Sequence, residues 1–527
     1  MQPYSLLFVL FVATLVVVHR IIGRSRWRSY QWVVLLAGSM GFYLWSDARS
    51  FGFLLVTSLT TWLAGKRMRA LDEACDAESK TVANRKERKA VRQAFQKRRW
   101  HVLLATLILN FGILGYVKYW NTLLGYVHLD QGFLASRLLL PLGISFYTFT
   151  SLGYLIDVYN KKVEPEENYA HYLLFVSWFP QLIQGPINRW AEIRDQLSTP
   201  RDVSDEDTRR ALLLILYGAL KKYALADTLV GAITACLDFI DYSTPGAVIV
   251  IGIVLYSLQQ YGDFSGGIDM VEGVSELFGV RMAQNFRQPY FSTSLAEFWR
   301  RWHMSLGEWM RAYVFYPLAM RPSMMSLNKW GTKHLGKTVG RTLSACVSNV
   351  VVFVLVGLWH GAELHYLLWG LYNGVVIALS DLFRPLFERG RAAFHVREES
   401  ASWRAWGIVR TFALVNLGRY FDRLVDPRAL LIALRNTVCN FRPSGILTWL
   451  GELHTTPYLR TALILSAVAC LMVLVVDIRT ERGEDVAGEV LALSPWRRLL
   501  LYVGVVTLIL LSFVAAATGG GFLYANF

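Results

Sequence analysis

Two histidines in this chain stand where an imidazole could do acid–base work. A polar side chain in or beside an apolar run is expensive in lipid and defaults to function, and most of the ten histidines sit in polar loops or at the edges of apolar runs. His360 ends the run from Thr342 to Trp359, within Gly357-Leu-Trp-His360-Gly361-Ala-Glu363. As a helix that run is about 27 Å long. Gly361 is expected to take the left-handed conformation that closes a helix, leaving the imidazole beside a freed turn that a substrate could approach. The plainer alternative is an interfacial histidine bonded to a carbonyl. Glu363 and His365 follow, but the HExxH spacing that puts two zinc ligands on one helical face is absent, so no metal site is expected.

His303 lies in Ser294-Leu-Ala-Glu297-Phe-Trp-Arg300-Arg301-Trp302-His303-Met-Ser-Leu-Gly-Glu308-Trp309-Met-Arg311. Ser294 and Glu297 form a capping box. At about 100° per residue, Leu295, Phe298, Trp299, Trp302, Leu306, Trp309 and Met310 make one stripe, with Glu297, Arg300, Arg301, Glu308 and Arg311 opposite. His303 falls at the seam of a helix expected from Leu295 to Met310. That helix either packs by its stripe or lines a polar cavity and aims one imidazole into it. Upstream, Tyr261-Gly-Asp263-Phe-Ser265-Gly266-Gly267-Ile-Asp269 matches no Walker A, dinucleotide or EF-hand pattern. Asp263 and Asp269 are expected to cap and pin helices, or to salt-bridge Arg300 or Arg301, and not to act as acid and base.

The elements that position these residues belong in a membrane. The 527 residues are 54% hydrophobic and only 18% charged, against about 25% charged in soluble domains. An ordinary cytoplasmic enzyme, a disordered chain and a disulfide scaffold are excluded. The net charge of +15 reads as topology and not as nucleic-acid binding, because it concentrates in loops beside apolar runs. Five scattered cysteines form no CxxC pair. Tyr4 to Val18 is expected to be a retained helix and not a signal peptide. From Lys66 to Arg99 there are twelve Lys or Arg against five Asp or Glu, so this loop is expected to be cytoplasmic and the N-terminus to face outward. Counting the short runs gives roughly ten to twelve crossings. Leu295 to Met310 and Ala405 to Leu434 are too polar to span and suit interfacial or internal helices.

The order of several strings carries a resemblance. Leu140-Pro-Leu-Gly-Ile-Ser-Phe-Tyr-Thr-Phe, Tyr154-Leu-Ile-Asp157-Val-Tyr and Phe179-Pro-Gln-Leu-Ile-Gln-Gly185-Pro186 come first. Asp263-Phe-Ser-Gly, Asn285-Phe-Arg-Gln-Pro289-Tyr, Glu297-Phe-Trp-Arg-Arg-Trp-His303 and Leu358-Trp-His360-Gly361 follow. Over about residues 100–385 the chain resembles the membrane-bound O-acyltransferase family, in the bacterial branch of alginate O-acetylation and teichoic-acid D-alanyl transfer. The resemblance implies an all-α polytopic protein with a ring of membrane helices and short interfacial ones. Residues 1–100 then form N-terminal helices and the basic loop, 101–385 the catalytic core, and 386–527 a C-terminal extension with the final helices. It implies His360 and His303 as catalytic residues, with Trp302, Trp359, Asp263 and Arg300 binding substrate. Two strings depart from the family: Gly266-Gly267-Ile-Asp269 replaces Gly-Tyr-Ser-Asp, and Arg311-Ala312-Tyr313 replaces Arg-Asp-Tyr. The tail Gly521 to Phe527 is aromatic, as in this branch, with Ala525-Asn526 differing from the alginate type.

The resemblance also implies a reaction across compartments. An acyl thioester made in the cytosol, on coenzyme A (acetyl-CoA) or on an acyl carrier protein, meets an acceptor that ends outside. No bound cofactor is expected. The acceptor is a polysaccharide or teichoic acid, reached directly or through an exported SGNH-type or membrane-anchored partner. A D-alanyl donor is the main alternative to acetyl. A transporter or flippase of an acyl or glycan carrier is the rival class, but its broken-helix repeats are not found. A scaffold that only anchors a partner acyltransferase is the third.

Overall fold

The computed structural model describes residues 5–126, 141–453 and 457–516. Helices dominate, and the one β feature among the described residues is an isolated antiparallel bridge between Phe286 and Trp302. The tail from Gly521, His128, His454 and the start of the Leu140 string lie outside the described residues. Among the described residues, six helices are long and apolar enough to cross a bilayer: Leu6–Gly23, Arg85–Trp120, Gly246–Glu276, Lys337–His360, Tyr458–Glu481 and Pro495–Ala515. A bent pair, Leu364–Leu382 with Arg384–Ala393, makes a seventh if taken as one span. The protein is therefore an all-α polytopic membrane protein. The count is lower than the apolar runs imply because several runs fold short. The run from His171 to Ile187 becomes Tyr169–Ser177 and Phe179–Ile183, and Leu138 to Tyr159 contributes Ile144–Tyr159.

The chain divides into two compact units, Met1–Ala211 with Val271–Ala283, and Leu212–Met270 with Gln284–Phe527. In the first, the basic stretch from Lys66 to Arg99 is not an open loop. It consists of the ends of two helices, Phe51–Thr81 and the one beginning at Arg85, separated by residues 82–84. Alanines and long charged side chains favour helix, and Asn84 turns the chain by accepting from the Lys86 N–H at 2.9 Å. Arg99 is buried here. It donates to the carbonyls of Val158 (3.0 Å) and Tyr159 (2.9 Å) and pairs with Asp72 at 3.5 Å.

In the second unit, Lys337–His360 and Leu364–Leu382 form a tight hairpin, made possible by residues without side chains. A Cβ on Gly357 would lie 2.4 Å from the Tyr366 carbonyl oxygen, and one on Gly370 would lie 2.3 Å from that of Phe353. Lipid offers no hydrophobic drive between helices, so close backbone packing of this kind holds them together. The acids of the Tyr261 string also find partners in this unit. Lys222 reaches Asp227 at 2.8 Å and Asp263 at 2.5 Å, and Lys221 pairs with Asp269. The expected bridges to Arg300 or Arg301 do not form. Two adjacent lysines on the π-helical turn Leu220–Ala226 are buried and need counter-ions, while Arg301 pairs with Glu297 (2.8 Å) and Glu481 (2.7 Å).

Gly370→Leu is expected to force the hairpin open, lowering the thermal midpoint in detergent by the equivalent of about 1–3 kcal/mol. Gly112→Ala, where a Cβ would meet nothing within 4 Å, is the control expected to hold or raise it. Equal midpoints for Gly370→Leu and wild type would contradict the packing described.

Candidate active site

His303 does not sit inside a continuous helix. The segment from Leu295 to Met310 breaks into Leu295–Arg301 and Met304–Met310, with His303 between them at φ 49°, ψ 53°. A left-handed backbone is uncommon for a residue with a side chain and needs enforcement. The segment at Asn285 supplies it. The Arg287 N–H donates to the Arg301 carbonyl and the Met304 N–H to the Asn285 carbonyl, each at 3.0 Å, so the bonds that a helix would have made internally go to this strand-like neighbour. Half of the capping box forms as read. Ser294 Oγ accepts from the Glu297 N–H at 3.2 Å, but the Glu297 carboxylate reaches back to the N–H and hydroxyl of Thr293, both at 2.9 Å. Most of the stripe is buried, including Leu295, Phe298, Trp302, Leu306, Trp309 and Met310.

Asn285 also orients the imidazole. Its side-chain oxygen accepts from the Ser305 N–H (3.1 Å) and the Ser305 hydroxyl (2.9 Å), and His303 Nδ1 lies 3.1 Å away. A backbone N–H can only donate, so this atom is the oxygen and His303 must place its proton on Nδ1. Burial pushes the His303 pKa down to about 3, which keeps the ring neutral at pH 7 with the lone pair on Nε2. Phe264 meets the ring edge-on at 4.9 Å.

His360 closes its helix as the sequence suggests, by different means. Gly361 has φ −178°, an extended backbone, in place of the expected left-handed one. What requires glycine there is space, since a Cβ would stand 2.6 Å from the Tyr366 ring. Tyr366 stacks on the imidazole of His360 at 5.8 Å, and Trp369 meets it edge-on at 5.3 Å. Trp359 connects the two histidines, with ring centroids 4.8 Å from His360 and 6.0 Å from His303.

Both histidines line one cavity of about 1510 Å³. Trp302 and Arg300 line it too. Trp302 is buried and Arg300 exposed. Trp359 packs behind the lining, and Asp263 lies outside it, held by Lys222. Three residues not singled out from the sequence complete the setting: Asn285, Trp369 and Arg419. Asn285 stands in a quoted string, so its presence was visible while its role depends on a chain reversal. Arg419 belongs to the helix Ala401–Arg423, where nothing in the sequence distinguishes it from its charged neighbours.

Residues 166–332 match the membrane-bound O-acyltransferase family. His303 falls inside that stretch and His360 beyond it. A "Probable alginate O-acetylase AlgI" of Pseudomonas syringae is 34% identical over 53% of this chain and 51% of its own length. A "Peptidoglycan O-acetyltransferase" of Helicobacter pylori is 29% identical over 65% of each chain. A "Teichoic acid D-alanyltransferase" of Streptococcus thermophilus is 28% identical over 52% of this chain and 66% of its own. The match thus spans about half the length of the alginate relative.

Because the folded His303 pKa of about 3 lies below the unfolded value of about 6.5, the unfolded state binds the extra proton, and stability falls as pH drops from about 6.5 toward 3. His303→Gln is therefore expected to flatten the loss of thermal midpoint between pH 7 and pH 5. An identical pH dependence in the variant would show that His303 is not held neutral.

Proposed function

We propose that the chain, whose residues 166–332 match the membrane-bound O-acyltransferase family, moves an acetyl group from cytosolic acetyl-CoA toward an extracytoplasmic polysaccharide or cell-wall polymer. The observation that carries this reading is the pair of histidines, His303 and His360, on one cavity. His360 is the general base. Its imidazole takes the proton of the acceptor hydroxyl as the oxygen attacks the thioester carbonyl; the new C–O bond forms, the C–S bond breaks, and the thiolate leaves and is protonated. His303, neutral and fixed by Asn285, cannot donate from Nε2, where its lone pair lies. It therefore suits holding the acceptor hydroxyl by accepting its hydrogen bond, in preference to stabilising the oxyanion. The acceptor hydroxyl belongs to the glycan itself or to an exported SGNH-type or membrane-anchored partner that relays the acyl group. D-alanyl transfer from a carrier protein to teichoic acid is the second reading, favoured by the similarity to a D-alanyltransferase.

The protein resides in the cell membrane with its N-terminus outside and the break between helices at residues 82–84 in the cytosol, by the excess of basic residues around it. Arginines near the C-terminal extension serve the donor side. Arg384 and Arg391 line the cavity while paired with Asp381 and Glu398.

Purified protein in vesicles supplied with labelled acetyl-CoA is expected to show thioester turnover that drops about a thousandfold in His360→Ala. Full turnover by a folded His360→Ala protein would refute the base assignment, and turnover with a charged carrier protein alone would replace acetyl by D-alanyl. For topology, Ser79 is buried, so the reporter belongs at exposed Thr81. Thr81→Cys in a background with the five native cysteines replaced by serine is expected to react with an impermeant thiol reagent only after the cells are opened. Labelling of intact cells would invert the orientation.

A further inference from the structure

Arg419 is only 3% exposed and lines the same cavity as His303 and His360. Its guanidinium presents two edges. Nη1 donates to Asp422 Oδ2 at 3.1 Å, whereas Nε and Nη2, both buried, have no hydrogen-bond partner among the described residues. Those two N–H groups run parallel and form the fork that grips two oxygens of a carboxylate or phosphate. Leaving such a fork buried and unpaired is destabilising. Packing alone does not call for it, since an apolar side chain could cover the Trp302 ring that Arg419 overlies at 4.9 Å. Asp422 is not free to swing across, because the same Oδ2 is 2.6 Å from Gln260 Nε2 and 3.4 Å from the Tyr256 hydroxyl. The neighbouring Tyr290 gives its hydroxyl proton to the Ser257 carbonyl at 2.7 Å and turns only a neutral oxygen toward the guanidinium, outside good hydrogen-bond geometry, so it does not answer the charge.

We infer that Arg419 is an anion-binding residue of this cavity, its Nε/Nη2 fork taking an oxyanion carried by one of the substrates. The oxyanion is either a phosphate of the thioester donor or a carboxylate of the acceptor. The inference rests on reading the cavity as the acyl-transfer site. Arg300 and Arg311 also line the cavity but are exposed, where water screens their charge. A buried guanidinium acts at lower dielectric and discriminates more strongly between charged and neutral ligands.

The test is equilibrium binding to the full-length protein in vesicles, using two probe pairs that differ in the anion: coenzyme A against pantetheine, and a uronic-acid trisaccharide against its methyl ester. Arg419→Gln is expected to weaken one charged probe at least about tenfold and its neutral counterpart less than about twofold. The pair affected identifies the source of the oxyanion. Asp422→Asn, which removes the competing carboxylate, is expected to tighten the same charged probe. Three results would overturn the inference: no preference of the wild type for either charged probe over its neutral counterpart, unchanged charged-probe affinity in Arg419→Gln, or equal weakening of charged and neutral probes. If Arg419→Gln does not fold, the sign of the Asp422→Asn effect decides, tighter binding supporting the fork and weaker or unchanged binding overturning it. Binding is read without turnover, so a wild type that binds but transfers no acyl group would refute the acyl-transfer reading separately.

Discussion

One side-chain oxygen, that of Asn285, holds the centre of this protein in its working arrangement. It receives the Ser305 N–H and hydroxyl and the Nδ1–H of His303. In lipid every buried polar group must be answered by protein, and these three donors are answered together. Their convergence keeps a non-glycine residue in a left-handed conformation and breaks the helix there. It also fixes the tautomer of a neutral imidazole. The cavity, the placement of Trp302 and the relation of His303 to Trp359 all follow from that break.

Charge inside the second unit is sorted by the same rule. Lys221 and Lys222 are buried and each is matched by carboxylates. Arg300 and Arg311, which line the cavity, are exposed and have no ion pair among the described residues. Arg419 lies between these cases: it lines the cavity with Nη1 bound to Asp422, while Nε and Nη2 are buried without a hydrogen-bond partner among the described residues. The fully paired charges here are the buried lysines, and the arginines without a full set of partners line the cavity.

Much of this was legible in the sequence because composition and apolar run length report the solvent directly. The long spans and the placement of His360 at a helix end needed only hydropathy and the string around Gly361. The break at His303 was not legible. Periodicity continues through Trp302 and His303 without interruption, and only the pairing with Phe286, sixteen residues away, reveals that the helix ends. The partners of Asp263 and Asp269 were hidden for a similar reason: Lys222 and Lys221 lie about forty to fifty residues upstream, and a π-helical turn brings both inside. The basic stretch from Lys66 to Arg99 reads as a loop and folds as the ends of two helices, since charge density does not distinguish a solvated helix from a coil.

The most direct measurement is a structure of the protein with a non-hydrolysable acetyl thioether analogue of acetyl-CoA bound. The expected result places the carbonyl that mimics the reacting one in the cavity, within hydrogen-bond reach of an acceptor position shared by His360 and His303. A carbonyl bound elsewhere, with both imidazoles walled off from it, would contradict the assignment of this cavity as the site of acyl transfer.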